Sequence, residues 1–253
     1  KAWISAAFTD VWLYPQITMQ MSNQDTNSSH ETDKAKRVRI KALYDGENVA
    51  FMMMWQDKTQ NLQHSTYGYY GDGFTVQIAT HVDDVKKLPY IGGGSKERSV
   101  LVHQKKAIDV GTQARDFMAM YSTLSADEQS ANAEKLAQFK EMNQGTYSRL
   151  FLSEGAHSVR EIKDDSSISV MEMVYQKEVW QGTLSRRLKD AYMNVDGGSM
   201  AVSFVLLDGE TKNYRGLEHR STWLPVKFVG SSGGEELIAE LTAPINGNIL
   251  NGR

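Results

Sequence analysis

Lys41-Ala42-Leu43-Tyr44-Asp45-Gly46-Glu47-Asn48-Val49-Ala50-Phe51-Met52-Met53-Met54-Trp55 decides the fold class. Before the turn, Val38, Ile40, Ala42 and Tyr44 occupy every second position, the period of a strand with one face buried. Asp45-Gly46-Glu47-Asn48 is turn chemistry, and the apolar run Val49 to Trp55 after it is far shorter than the ~20 residues of a membrane helix. The segment therefore reads as a β-hairpin with a well-buried second strand.

The same alternation recurs on both sides. Ile17, Met19 and Met21 alternate before a polar stretch from Ser22 to Lys36, which reads as a long loop because it holds little to bury. Phe74, Val76 and Ile78 mark another strand, as do Val100 with Val102, Ile168 to Val174, Val179 to Leu184, Met200 to Leu206, and Ser221 to Phe228. Roughly nine or ten strands fit a mainly β fold, a two-sheet β-sandwich. One segment departs from the pattern: Ser125-Ala126-Asp127-Glu128 has the form of a helix capping box, and Ala133, Leu136, Phe139 and Met142 recur at helical spacing before Gly145. An amphipathic helix is expected over 125–143, within an insertion of about 113–145 between strands. Its apolar stripe is suited to packing on the sandwich or to docking a partner. After Phe228, Gly230-Ser231-Ser232-Gly233-Gly234 opens a weakly patterned stretch, so 1–229 reads as the sandwich and 230–253 as a tail or linker.

Composition removes several function classes. With 28 basic and 31 acidic residues spread along 253, the net charge of -3 provides no basic face for nucleic acid and no polybasic anchor. The absence of cysteine excludes disulfides, thiolate-bound zinc, iron–sulfur clusters and covalent CxxCH haem attachment within this chain. No GxxxxGK[ST] or HExxH motif is present, the Gly230-Ser231-Ser232-Gly233-Gly234 string reads as linker rather than a GxSxG elbow, and Gly92-Gly93-Gly94 lacks dinucleotide-fold spacing. Asp72, Asp83 and Asp84 do not follow the ligand spacing of a calcium loop and read as solvated turn carboxylates.

Among the six histidines, His30, His64, His81 and His157 fall in loops or near strand ends and read as surface residues. His103 lies inside Val100-Leu101-Val102-His103-Gln104-Lys105, and His219 stands at the start of the strand that runs into Ser221-Thr222-Trp223. A non-covalent metal or haem centre would have to draw on histidine, methionine, lysine or carboxylates.

The order of several segments resembles a known family. Lys41 to Val49 followed by Trp55-Gln56-Asp57-Lys58-Thr59 is similar to an early hairpin ending in W-x-D-x-T, and Gly71-Asp72-Gly73-Phe74-Thr75-Val76-Gln77-Ile78 to a strand that opens on Gly-Asp. Pro89-Tyr90-Ile91-Gly92-Gly93-Gly94 with Val100 to Ala107 is similar to a proline-led loop and a strand ending in Lys-Ala. Trp180 to Leu188 and Val202-Ser203-Phe204-Val205-Leu206-Leu207-Asp208-Gly209 complete the series. Taken in order over about residues 40–228, they resemble the haem-binding gamma subunits of the ethylbenzene dehydrogenase and dimethylsulfide dehydrogenase type. That group is also seen in chlorate and selenate reductases and in related c-552-like cytochromes.

The resemblance implies a periplasmic β-sandwich that holds one non-covalent haem b and passes electrons to or from a larger oxidoreductase. Molybdenum enzyme subunits or a c-type cytochrome would be its redox partners, and it would not be an enzyme itself. It implies axial ligation by a methionine of the glycine-rich loop and a late lysine, but here Gly93 stands near the methionine's place and Glu218 or His219 near the lysine's. The expected ligands are therefore His103 and His219, with Met118 and Met120 in reserve, and Gly92, Gly93, Gly94 and Trp223 lining the cofactor. Bis-histidine ligation would lower the haem potential relative to a pair containing methionine. Two other classes stay open: a haem sensor or carrier with an open coordination position, and a cofactor-free sandwich that binds a sugar or a partner, with Trp55, Trp180 and Trp223 as core or ring-stacking residues.

Overall fold

The computed structural model describes residues 2–15, 34–63, 70–81, 88–108, 123–131, 146–155, 158–163, 168–195, 199–211, 218–229 and 238–241. The chain is mainly β, as the alternation implies. Sheet A is antiparallel and runs β1 (Thr9–Pro15), β2 (Lys36–Tyr44), β3 (Asn48–Gln56), β9 (Val179–Arg187) and β8 (Ser169–Gln176). Sheet B runs β7 (Val159–Ile162), β6 (Thr146–Ser153), β5 (Val100–Ala107), β4 (Gly73–Ala79) and β10 (Ser199–Leu207). Beyond β10 it continues through β11 (His219–Arg220) and through β12 (Leu224–Val229) to β13 (Ile238–Leu241). β1 belongs to both sheets: Thr9–Leu13 pair with β2, whereas Tyr14 and Pro15 pair with Arg220 and His219 of β11.

The hairpin forms as its sequence dictates. Gly46 takes φ +101°, and Asp45 Oδ1 accepts the Glu47 and Asn48 amides at 2.9 and 2.6 Å, closing the turn between β2 and β3. The apolar residues on one face of each sheet meet across the interior, with β4 against β9 and β5 against β8. Phe51 of sheet A meets Phe204 of sheet B edge-on at 5.7 Å, and Trp55 packs on Phe74 at 6.2 Å and stacks with Trp180 at 6.1 Å. Gly182 exists for this contact, because a Cβ there would lie 2.4 Å from the Phe74 ring. No helix among the described residues is long and apolar enough to cross a membrane.

Several elements differ from expectation. β1 was not anticipated, because Trp12 and Tyr14 stand on its exposed face and blur the apolar period set by Val11 and Leu13. β6 and β7 are additional strands, and β13 lies inside the segment expected to be a tail or linker. Of the expected helix, α2 (Ala126–Ala131) is described; α1 is the short Ala2–Ser5 turn. The Glu128 half of the capping box is made, with Glu128 Oε2 accepting the Ser125 amide at 2.9 Å and the Ser125 hydroxyl at 2.6 Å, yet no residue of α2 is buried. The expected strand at Ile17–Met21 and most of the 113–145 insertion lie outside the described residues, as do Met118, Met120, His30, His64 and His157.

Candidate functional site

His103 is a central residue of β5 and is 1% exposed. Its inward ring meets Arg186 of β9 across the interior, with Nε2 3.0 Å from Nη1. A guanidinium only donates, so Nε2 must accept and the ring proton sits on Nδ1. Nδ1 makes no hydrogen bond of normal geometry, although the Val76 backbone favours a proton there. Burial, and then the adjacent guanidinium, hold the ring well below its ordinary pKa of 6.5, so His103 is neutral. Arg186 is itself buried, donating Nε to the Arg187 carbonyl at 2.9 Å and pairing with Asp190, whose Oδ1 accepts the Tyr192 and Met193 amides. These contacts make His103, Arg186 and Asp190 an inter-sheet tie.

His219 is also fully buried, and its Nε2 lies 3.0 Å from the Lys34 carbonyl. The structure does not bring the two expected ligands together. His103 pairs with Val76, Val76 with Phe204, and His219 with Leu206 of the same strand as Phe204. β4 and β10 thus stand between the imidazoles, three ladder spacings or roughly 14 Å. Both occupy the inner face of one sheet, where side chains run parallel rather than opposing each other across an iron.

The glycine loop and Trp223 do meet, on the other face of sheet B. Trp223 Nε1 donates to the Pro89 carbonyl at 2.9 Å, and its ring packs with Ala79, Val100, Ala201 and Ile91. Arg220 Nη1 donates to Ile91 O at 2.9 Å and to Gln77 Oε1 at 3.0 Å, while Gln77 Nε2 donates to the same Ile91 carbonyl at 2.9 Å. Gly93 and Gly94 adopt φ +114° and +81°, and Gly93 O accepts Ser153 Oγ at 2.6 Å. An arginine cannot offer a lone pair, and the nearby imidazole of His219 is engaged on the opposite face. The described donors do not fit a six-coordinate haem at this junction.

A second polar centre lies at the end of the sandwich, where β3 and β10 finish and β4 and β9 begin. Carboxylate oxygens of Asp57, Asp72 and Asp208 lie within 4.8 Å of one another. Asp72 is fully buried rather than the solvated turn residue expected from sequence. Its Oδ1 accepts the Gly209 amide at 2.9 Å, and its Oδ2 accepts the Asn61 amide at 2.7 Å and Trp180 Nε1 at 3.0 Å. Burial raises its pKa from 3.8 to about 6 against the pull of these donors, with a further push from Asp57. Burial also raises Asp57, while Lys36 pairs with Asp208. The signal for this hub was present in the sequence: each aspartate adjoins a strand end, in Trp55-x-Asp57, Gly71-Asp72 and Asp208-Gly209.

Above the hub opens a groove of about 680 Å³ whose walls include Lys36, Arg37, Arg39, Lys58, Asp57 and Glu210, with Met54, Val179 and Leu206 as its apolar part. Asp72 has a pKa suited to acid–base chemistry, but it is fully buried and both its oxygens are occupied by protein N–H groups. It ties the segments that carry Asn61, Trp180 and Gly209 together. A scan against protein-family models finds no match, and no curated protein matches the chain.

Proposed function

We propose that the chain is a non-catalytic binding module that docks a protein partner through the groove at the end of its sandwich. The observation that carries this reading is the groove itself, a concavity of about 680 Å³ with both signs of charge on its walls and its loops tied to the Asp72 hub. Interspersed charges over an apolar floor suit a protein surface of complementary pattern. A sugar is less well served, because Trp55 and Trp180 are 3% and 2% exposed and offer no platform for a ring. The test is a photo-crosslinking residue placed at Lys58 in the native host. A discrete adduct should form and should be lost on Arg37→Glu; adducts no stronger than from a crosslinker at exposed Glu97 would sink the reading.

A second reading keeps the electron-transfer role, with haem b, a larger redox partner and a periplasmic location. One observation favours it: Trp223 packs against the loop that carries Gly92–Gly94, through Pro89 and Ile91, although the two segments lie some 130 positions apart. Under this reading the native protein carries about one haem b extractable into acidified organic solvent and fractionates with the periplasm. A preparation from its host with no Soret band removes it.

A further inference from the structure

We propose that Arg220 takes the mechanical place of an axial ligand in this chain, clamping the 88–94 loop onto β11 directly so that the junction is completed without iron. The resemblance requires a donor from the loop and another from the late segment, with a metal between them. Two metal–donor bonds of about 2 Å each hold donor atoms roughly 4 Å apart, and the macrocycle needs an open slab around that axis. Here Arg220 Nη1 reaches Ile91 O at 2.9 Å with nothing between. Gln77, two strands further in on β4, bonds both the guanidinium and the same carbonyl, and Trp223 secures Pro89 O.

The loop side is crowded at two of its three glycines. A side chain at position 92 would begin 2.5 Å from the Tyr90 ring, and Gly94 has Ser153 O and Arg98 O at 2.7 and 3.0 Å from where its Cβ would stand. At Gly93, nearest the methionine's place, a Cβ would meet only Ser153 Oγ at 3.3 Å, and what opposes a donor side chain there is the left-handed φ of +114°. A permanent cation at the junction also opposes a second positive centre beside it. The features that favour a haem site by position thus build a polar lock by chemistry.

The full chain is the material for the test, produced without haem and then mixed with hemin. The wild type should develop no low-spin Soret band. In Arg220→Ala, amide exchange at 90–94 should rise about tenfold, the size expected for loss of its hydrogen bonds, while the Asp45–Asn48 turn is unchanged. Should Arg220→Ala fail to fold, Arg220→Lys serves: an ammonium lacks the planar fork, so exchange in the loop should rise by a smaller factor. One equivalent of low-spin haem bound by the wild type overturns the proposal, as does loop exchange unchanged in the folded variant. Haem uptake would leave the groove reading standing, and loss of the Lys58 adduct would leave the clamp standing, so the two fail separately.

Discussion

Two of the buried polar centres among the described residues solve the same problem in opposite ways. At one end Asp72 is an acceptor surrounded by N–H donors from three segments, and burial raises its pKa to about 6. Deeper in, the His103 ring is an acceptor set against a permanent cation, and burial holds it neutral. Both are reached from the same strand, since β9 contributes Trp180 to the first and Arg186 to the second. Low dielectric pushes each group toward its uncharged form, and that form is the protonated one for an acid and the deprotonated one for an imidazole. The fold therefore carries two proton linkages of opposite sign.

The largest test of the comparison is Arg186→Ala. It leaves Asp190 as a buried charge without its partner and His103 without its donor, and should cost about 3–5 kcal/mol of unfolding free energy, measured by urea titration. A loss under about 1 kcal/mol would remove the tie from the account of stability.

Acid titration then separates the centres. Native Asp72 takes up its proton near pH 6 and the unfolded chain near 3.8, so its contribution to stability rises as pH falls through that window, by about 3 kcal/mol. The unfolded imidazole protonates near 6.5 while buried His103 does not, so its contribution falls below that pH, by up to about 1.4 kcal/mol per unit. In the intact protein the two slopes oppose each other between about pH 6 and 3.8. Asp72→Asn should unmask a steeper loss on acidification, and His103→Leu should expose a gain in the same range. Parallel curves for wild type and Asp72→Asn would show that Asp72 does not titrate there.

Gly182→Ala probes the strand between the centres. The new methyl meets the Phe74 ring two residues from Asp72, so a cost of about 1–3 kcal/mol is expected, with Trp fluorescence changed by movement of Trp55 and Trp180. Ser125→Ala is the smallest change: it removes an exposed cap from a helix with no buried residues, so global stability should shift by at most about 0.5 kcal/mol and both pH slopes should stay put.

What the sequence made legible was set by local period. The β2–β3 hairpin, β4, β5, β9 and β10 stand out because each buries an apolar face, and the Asp45-Gly46 turn has its own chemistry. His103 and His219 are indeed strand residues, but alternation does not reveal how many strands intervene. The order β5-β4-β10-β11 joins segments more than 100 residues apart. Asp72 was misread because a Gly-Asp-Gly string has the composition of an exposed turn, and its three donors come from Asn61, Trp180 and Gly209, one nearby and two distant.

The shared strand β1 has a consequence for how the chain is made. On the ribosome, Thr9–Leu13 can find β2 as soon as residue 40 has emerged, but Tyr14 and Pro15 have no partner until His219 and Arg220 follow. The seam between the sheets is stitched by one continuous strand whose second half waits some 200 residues, roughly 10 to 40 s at ordinary rates of synthesis. For that interval the nascent chain keeps an unfinished strand end, with Trp12 and Tyr14 beside it, and chaperone contact on this protein should concentrate at that site.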